Sequence, residues 1–136
     1  MVDCIDDASA KAVLAVLCKA VKSPIVMSGS AGGRLDPTRI QVTDLSEVTN
    51  DKLLAKVRNL LRRDYQFPKA SNTKKSAKFS VTCVYSDEAV IKPDLACEAN
   101  VTSITGLNCA GYGSSVCVTA PMGFVAAQLA INLMIS

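Results

Sequence analysis

The sequence predicts an α/β fold, and two observations carry this prediction. Hydrophobic residues make up 49% of the 136 residues but aromatic residues only 4%, so the core must be aliphatic, as in sheets whose strands are buried on both faces. Short apolar runs also alternate with helical patterns in the order strand, helix, strand, strand, helix, strand, turn, helix. This order suits the second half of a doubly wound, mixed sheet, and the length suits one domain, residues 1–136.

The first half of the chain supplies the clearest elements. Residues 1–5 form a short apolar run that predicts a strand, and residues 8–21 are helix formers that are apolar nearly all round, which predicts a packed helix. Residues 25–27 predict a buried strand. The glycine-rich stretch 29–33 predicts a turn, and residues 39–43 alternate between polar and apolar types, as in a half-buried strand.

The second half begins with an amphipathic helix, which Asn50 or Asp51 is expected to cap. Its apolar stripe has helical spacing and consists of Leu53, Leu54, Val57, Leu60 and Leu61. A basic loop should follow at residues 68–78, and residues 79–85 alternate as in a strand.

The C-terminal part is predicted to end in a buried helix. Residues 108–119 contain a glycine-rich turn followed by a strand-like run, Thr119 is expected to cap the helix, and Pro121 would lie in its first turn, where a missing N–H costs little. The apolar stretch 120–135 is short for a membrane span and contains polar side chains, so a buried helix and no membrane association are expected.

Several classes of site are excluded or disfavoured by composition. The chain has no histidine, which excludes a Ser-His-Asp triad and any zinc site that needs histidine. None of its six cysteines forms a C-x-x-C pair, and no P-loop motif is present. Gly111 and Gly113 begin a dinucleotide fingerprint whose third glycine is missing. The acidic N-terminus is unlike an export signal, so reduced thiols and a cytoplasmic, or else organellar, location are expected.

The positive charge is concentrated in residues 52–78, which contain nine basic residues and one acidic residue. Such a segment suits a polyanion, and nucleic acid is the natural candidate. The alternative is an ordinary solvated face of charged side chains. The candidate nucleic-acid contacts are Lys52, Lys56, Arg63, Lys74, Lys75 and Lys78.

Two further features are candidates for chemistry. Asp3 and Asp6 lie at the end of the first predicted strand, where ligands bind in open α/β sheets, and a carboxylate there could hold Mg²⁺ between phosphate oxygens. The alternative is that Asp6 or Asp7 only caps the following helix. Cys109 lies among small residues near a turn and could be a reactive thiol, although a buried and inert cysteine is the alternative.

Three segments resemble a known family. Residues 23–45, which contain Gly29, Gly32, Gly33 and Arg34, resemble the characteristic stretch of tRNA threonylcarbamoyladenosine dehydratases, which belong to the ThiF/MoeB/HesA superfamily of adenylating enzymes. Residues 83–89 are similar to the family's C-[VF]-[FY]-S-x-E segment, and residues 108–113 to its cysteine-containing glycine turn. The resemblance implies the C-terminal half of a ThiF/MoeB-like fold, without the Rossmann half that carries the nucleotide loop.

The resemblance also implies roles for individual residues. Asp3 and Asp6 form the superfamily's D-x-x-D segment, whose second aspartate acts at the ATP phosphates and the metal, so Asp6 is expected to be catalytic and to contact Mg²⁺ through ATP. Lys11 stands where an arginine is usual and keeps the charge without the fork geometry. Asp3, Asp6 and Lys11 are therefore the expected ATP-binding residues, and Cys109 is a weaker candidate for a catalytic or sulfur-relay role.

The implied reaction is ATP-dependent modification of tRNA: a carboxylate of threonylcarbamoyladenosine beside the anticodon is adenylated and then cyclised with net loss of water. The implied partners are tRNA, a second copy of the chain in a homodimer, and a cysteine desulfurase or sulfur-acceptor protein. Two alternatives remain open. One is an adenylating enzyme for a ubiquitin-like sulfur carrier, and the other is an inactive interaction module that retains only the dimer-forming half.

Overall fold

The computed structural model describes residues 1–69, 77–91 and 113–135. Within them, four strands and three α-helices form the framework. The strands are β1 (Val2–Asp3), β2 (Val26–Ser28), β3 (Ile40–Asp44) and β4 (Thr82–Ser86). The helices are α1 (Ala8–Ala20), α2 (Lys52–Asp64) and α3 (Val116–Ile135), and two short 3₁₀ turns, Pro37–Arg39 and Leu45–Glu47, flank β3.

The sheet is mixed, with strand order β1-β2-β4-β3. β1, β2 and β4 run parallel to one another, and β3 pairs antiparallel with β4 from Ile40 opposite Ser86 to Asp44 opposite Thr82. The carboxyl ends of the three parallel strands therefore lie at one edge of the sheet, which we call the carboxyl edge. The opposite edge, where β2 and β4 begin, is called the amino edge.

Helices cover both faces of this sheet, which confirms the predicted α/β class with a mixed, doubly wound sheet. On one face, α1 and α2 pack on Met27, Cys83 and Tyr85. On the other face, α3 packs on Val26 and Val84 through Val118, Met122 and Ala126. The alternation along β2 and β4 explains the division, since successive strand residues point to opposite faces.

Aspartates begin two of the helices as the sequence predicts. The Asp7 carboxylate accepts the N–H of Ala10 at the start of α1, and the Asp51 carboxylate accepts the N–H of Leu54 at the start of α2. Each bond satisfies a backbone donor that has no partner inside its helix. Asp51 rather than Asn50 is thus the cap of α2.

The predictions for α3 are partly wrong. The helix begins at Val116, so residues 116–119 are helical rather than a strand, Thr119 is not the cap, and Pro121 lies inside the helix. Ser115 begins the helix instead, since its backbone oxygen accepts the N–H groups of Val118 and Thr119.

The prediction that α3 is buried is also wrong. Only three of its residues are buried in the described structure, and Phe124 is 76% exposed and Met134 85% exposed. By length and composition alone α3 is apolar enough to cross a membrane, a test that core helices of soluble proteins also pass. The absence of membrane association stays a prediction.

Candidate functional site

The carboxyl edge gathers the predicted acidic site and the glycine-rich stretch. β1 ends at Asp3, and the chain continues through Asp6 into α1. β2 ends at Ser28 and continues into the glycine-rich stretch, and β4 ends at Ser86 and continues into Asp87. Three neighbouring parallel strands thus deliver their following loops to one place, which is where open α/β sheets bind ligands.

Asp6 lies at this edge with an exposed side chain. It does not cap α1, because Asp7 makes that hydrogen bond. The alternative role, helix capping, therefore belongs to Asp7, and the carboxylate of Asp6 is left open to a ligand. Mg²⁺ at nucleotides is commonly held by one or two carboxylates together with phosphate oxygens. Among the described residues no group of three or more acidic, cysteine or histidine side chains could hold a metal alone. Asp6 therefore fits a metal that arrives with a phosphate ligand.

Asp3 and Lys11 are buried against each other. The Nζ of Lys11 lies 3.1 Å from Oδ2 of Asp3, and both side chains are fully buried. Nζ also donates to the backbone oxygen of Ser28 at 2.8 Å, while Oδ1 of Asp3 accepts the N–H of Ile5. Lys11 thus ties the end of β1 to the end of β2. Direct ATP contacts by these two residues stay a prediction; the contacts present position the loop that carries Asp6.

Gly29 follows β2 at a point too crowded for any side chain. Its N–H donates to the backbone oxygen of Val84 at 2.8 Å. A Cβ atom there would lie 2.5 Å from Oδ2 of Asp51 and 2.8 Å from Cβ of Tyr85. Glycine is required because the backbone passes directly over the start of α2.

Arg34 is a key residue of this edge, and sequence reasoning assigned it no role. Its side chain is buried, and Nη1 lies 3.3 Å from Oδ2 of Asp51. The guanidinium also donates to the backbone oxygens of Ser30, Asn50 and Glu88. One planar side chain with several donors therefore joins the glycine-rich loop, the start of α2 and the segment after β4.

Acidic residues after β4 hold the other side of the same loop. Oε2 of Glu88 accepts the N–H groups of Leu35 and Asp36, both at 2.9 Å. Asp87 pairs with Arg39 at 2.6 Å, and this hydrogen bond with its charge attraction raises the pKa of Arg39. Two of the three segments that resemble the dehydratases, residues 23–45 and 83–89, thus contact each other.

The predicted basic surface is built in part from α2. Lys52 and Lys56 are exposed on the helix, and Lys78 is exposed before β4. Arg63 is exposed too, but both of its donors face the carboxylate of Asp64 at 2.7 and 2.8 Å, which offsets its charge. Lys74 and Lys75 lie outside the described residues.

Cys109 also lies outside the described residues, so its role stays a prediction. Four cysteines are described, and all are free thiols: Cys4, Cys18, Cys83 and Cys117. Burial raises the pKa of the Cys83 thiol, which keeps it protonated and unreactive.

No family model matches the chain, but individual proteins do. A tRNA threonylcarbamoyladenosine dehydratase of Haemophilus influenzae is 43% identical over 133 residues, which cover 97% of this chain and 49% of the relative. One of Escherichia coli is 39% identical over 142 residues, which cover 100% of this chain and 52% of the relative. The chain thus spans about half the length of these relatives.

Solved structures agree with this match. The crystal structure of the Escherichia coli dehydratase in complex with ATP has a TM-score of 0.75 and 38% identity, covering 98% of this chain and 46% of that chain. The complex with AMP has the same TM-score and identity and covers 47% of that chain. By sequence and by fold, the chain resembles the tRNA threonylcarbamoyladenosine dehydratases over about half of their length.

Proposed function

We propose that this chain takes part in the ATP-dependent cyclisation of threonylcarbamoyladenosine in tRNA and contributes part of the ATP site. The observation that carries the proposal is the exposed Asp6 carboxylate at the carboxyl edge, beside a glycine-rich loop that Arg34 and Glu88 hold in place. The relatives support the assignment, since they are dehydratases of this substrate and one is solved with ATP.

In the proposed reaction, a carboxylate oxygen of the substrate attacks the α-phosphate of ATP and pyrophosphate leaves. A nitrogen of the substrate then attacks the adenylated carbonyl, AMP leaves, and a ring closes. AMP departs far more readily than the oxygen of a free carboxylate, which is why the activation step is needed. Mg²⁺, when bound, offsets phosphate charge, and Asp6 would hold it there.

The described basic side chains at the carboxyl edge already pair with carboxylates of the chain, which should limit how tightly the chain alone binds ATP. Lys11 and Arg34 are buried in ion pairs, so Asp6 has no open cation beside it from these residues. We expect the chain alone to bind ATP more weakly than about 1 mM, that is, with less than about 4 kcal/mol. Isothermal titration with MgATP measures this affinity, and sub-millimolar binding would contradict the expectation.

The companion experiment tests the function itself. The chain is mixed with a polypeptide that covers the part of the Escherichia coli relative to which it does not align, and cyclised adenosine is measured in tRNA by mass spectrometry. Product should form with the mixture and be lost with Asp6→Asn. Asp36→Asn, which changes an exposed turn carboxylate, is the matched control and should retain activity. A mixture whose product is unaffected by Asp6→Asn would overturn the role of Asp6.

The exposed lysines of α2 are proposed to contact tRNA phosphates. Replacing Lys52 and Lys56 with glutamine should weaken tRNA binding and lower the slope of log K against log salt by about 1.5, because each lost phosphate contact contributes about 0.7 to 0.9. Fluorescence anisotropy at several salt concentrations measures the slope. Arg39→Gln removes one charge away from α2, where Arg39 already pairs with Asp87, and should leave the slope nearly unchanged. An unaltered slope in the lysine variant would exclude this face.

A homodimer and a sulfur-transferring partner remain proposals of the same kind. The exposed apolar side of α3, which includes Phe124, Ile131 and Met134, offers a contact for a second copy, because exposed patches of this kind usually mark interaction sites. The alternative function, an inactive dimer-forming module, would use the same face. The activity of the mixture with Asp6 intact distinguishes the two.

A further inference from the structure

A recess of about 310 Å³ opens at the amino edge of the sheet, on the side opposite Asp6. It lies between the end of α1 and the beginnings of β2 and β4. We call it the basic recess, because Lys19 and Lys22 form its only charged lining within the described part of the chain. Ile25, Phe79 and Val81 form its floor and are each at most 3% exposed, and Pro24 is an exposed apolar residue of its lining. A volume at the small end of ligand pockets suits one anionic group with an attached apolar or planar body.

The charge of this recess is not offset by carboxylates. Within the described residues neither Lys19 nor Lys22 belongs to an ion pair. The Nζ of Lys19 instead lies 4.0 Å from the ring centroid of Phe67, a contact that orients an ammonium group without neutralising it. Both lysines therefore keep their charge available to an anion.

Aromatic rings connect the recess to α2. The ring of Phe67 meets that of Phe79 at 5.0 Å, and the guanidinium carbon of Arg62 lies 5.4 Å from the centroid of Phe79. Lys19 and Arg62 thus stand on either side of one aromatic pair. Phe79, which lines the recess, thus contacts residues at the basic end of α2.

The carboxylate of Asp44, which bonds to the backbone of two residues that line the recess, is already engaged. Asp44 accepts the N–H groups of Phe79 at 2.9 Å, Val81 at 3.1 Å and Ser46 at 3.0 Å. Burial alone would raise the pKa of Asp44, but these hydrogen bonds outweigh it and hold the pKa below its ordinary value. The negative charge of Asp44 is therefore bound to the backbone N–H groups that precede β4. Glu47, which is exposed beyond it, is the other acidic residue of this strand end.

The recess and the carboxyl edge lie at opposite ends of α2. This helix has 13 residues and is about 20 Å long at about 1.5 Å per residue. Asp51 at its start contacts the glycine-rich loop, and Phe67 just beyond its end borders Lys19. The exposed Lys52 and Lys56 lie between them. Positive charge therefore extends along the helix from one edge of the sheet to the other, a spacing that suits a long polyanion and exceeds the reach of a small one.

We propose that the basic recess is a second RNA contact, one helix length from the candidate ATP site, where Lys19 and Lys22 bind a backbone phosphate and the adjoining nucleotide packs against the exposed Pro24. This inference rests on the proposed tRNA function and deepens it. RNA outside paired helices presents a phosphate together with an unstacked base, which matches two lysines beside an exposed apolar residue. The contact would fix the orientation of the substrate at a distance from the reaction, as phosphate contacts do.

The test uses the full chain with an unmodified tRNA transcript. Lys19→Gln with Lys22→Gln should weaken binding several-fold and lower the salt slope by about 1 to 2, because up to two phosphate contacts are lost. Lys19→Arg with Lys22→Arg keeps both charges and should restore the slope, which separates charge from packing against Phe67. Thermal unfolding of each variant establishes that it is folded at the assay temperature.

The outcomes separate this inference from the function on which it rests. If the wild-type chain binds tRNA and loses affinity only with the Lys52 and Lys56 variant, the recess is not an RNA contact while the function stands. If the wild-type chain shows no salt-dependent tRNA binding, the proposed function itself loses its RNA surface. If polyglutamate of equal charge competes as well as tRNA, the recess selects charge alone and the proposal of a nucleotide contact is overturned.

Discussion

Replacing Arg34 with methionine is expected to destabilise the fold by about 3 to 5 kcal/mol, the usual cost of removing one partner from a buried ion pair. The change leaves the Asp51 carboxylate buried without its cation, and the backbone oxygens of Ser30, Asn50 and Glu88 lose a donor. Since a domain of this size is stable by only about 5 to 15 kcal/mol, the effect is large. Urea unfolding followed by circular dichroism measures it.

The matched control is Arg39→Met. Arg39 also pairs with an aspartate, but half of its side chain is exposed, and exposed pairs are worth about 0 to 1 kcal/mol. The loss of unfolding free energy in Arg34→Lys should lie between those of Arg34→Met and Arg39→Met, because lysine keeps the charge but cannot reach several acceptors at once. Equal losses of unfolding free energy in Arg34→Met and Arg39→Met would contradict the prediction, because burial of the Arg34–Asp51 pair would then add nothing to stability.

This prediction depends on an interaction that the sequence pattern did not reveal. Hydrophobic periodicity located α1, β2 and α2 well, because residues that share an apolar face recur at regular short spacings in the sequence. The ion pair of Arg34 and Asp51 joins residues 17 positions apart. A contact at this separation leaves no periodic pattern in the sequence. One signal was present: the cap position before α2 holds an aspartate, whose carboxylate can also pair with a cation. That signal gives no partner without the fold.

The candidate site shows the same division. The order of strands and helices placed Asp6 at the carboxyl edge, which the structure reproduces. The contact of Lys11 with ATP stays a prediction, and the motif did not reveal that its Nζ lies between Asp3 and Ser28. Position in a motif says which element carries a side chain, but rotation about the helix axis decides whether it faces solvent or the sheet. The start of α3 was missed for a related reason: residues 116–119 are β-branched or small, and the packing of Val118 on the sheet favours a helix over that propensity.

Replacing Lys11 with methionine should have the second largest effect, about 3 to 5 kcal/mol by the same reasoning. Asp3 would keep the N–H of Ile5 but lose its cation, and the backbone oxygen of Ser28 would lose a donor at 2.8 Å. Since these contacts tie the end of β1 to the end of β2, the loop that carries Asp6 should loosen as well. Urea unfolding gives the free energy, and hydrogen exchange of the amides at residues 4–7 should accelerate.

Two comparisons decide whether the destabilisation by Lys11→Met comes from the lost ion pair with Asp3 or from the lost packing of the lysine methylene chain. Lys19→Met removes a lysine from the same helix where it is exposed, and should cost no more than about 1 kcal/mol for the lost ring contact. Lys11→Met combined with Asp3→Asn removes both charges, so the double variant should be more stable than the sum of the two single losses predicts. Additive losses would mean that Asp3 and Lys11 act independently, and the arrangement at the end of β1 would then owe nothing to their ion pair.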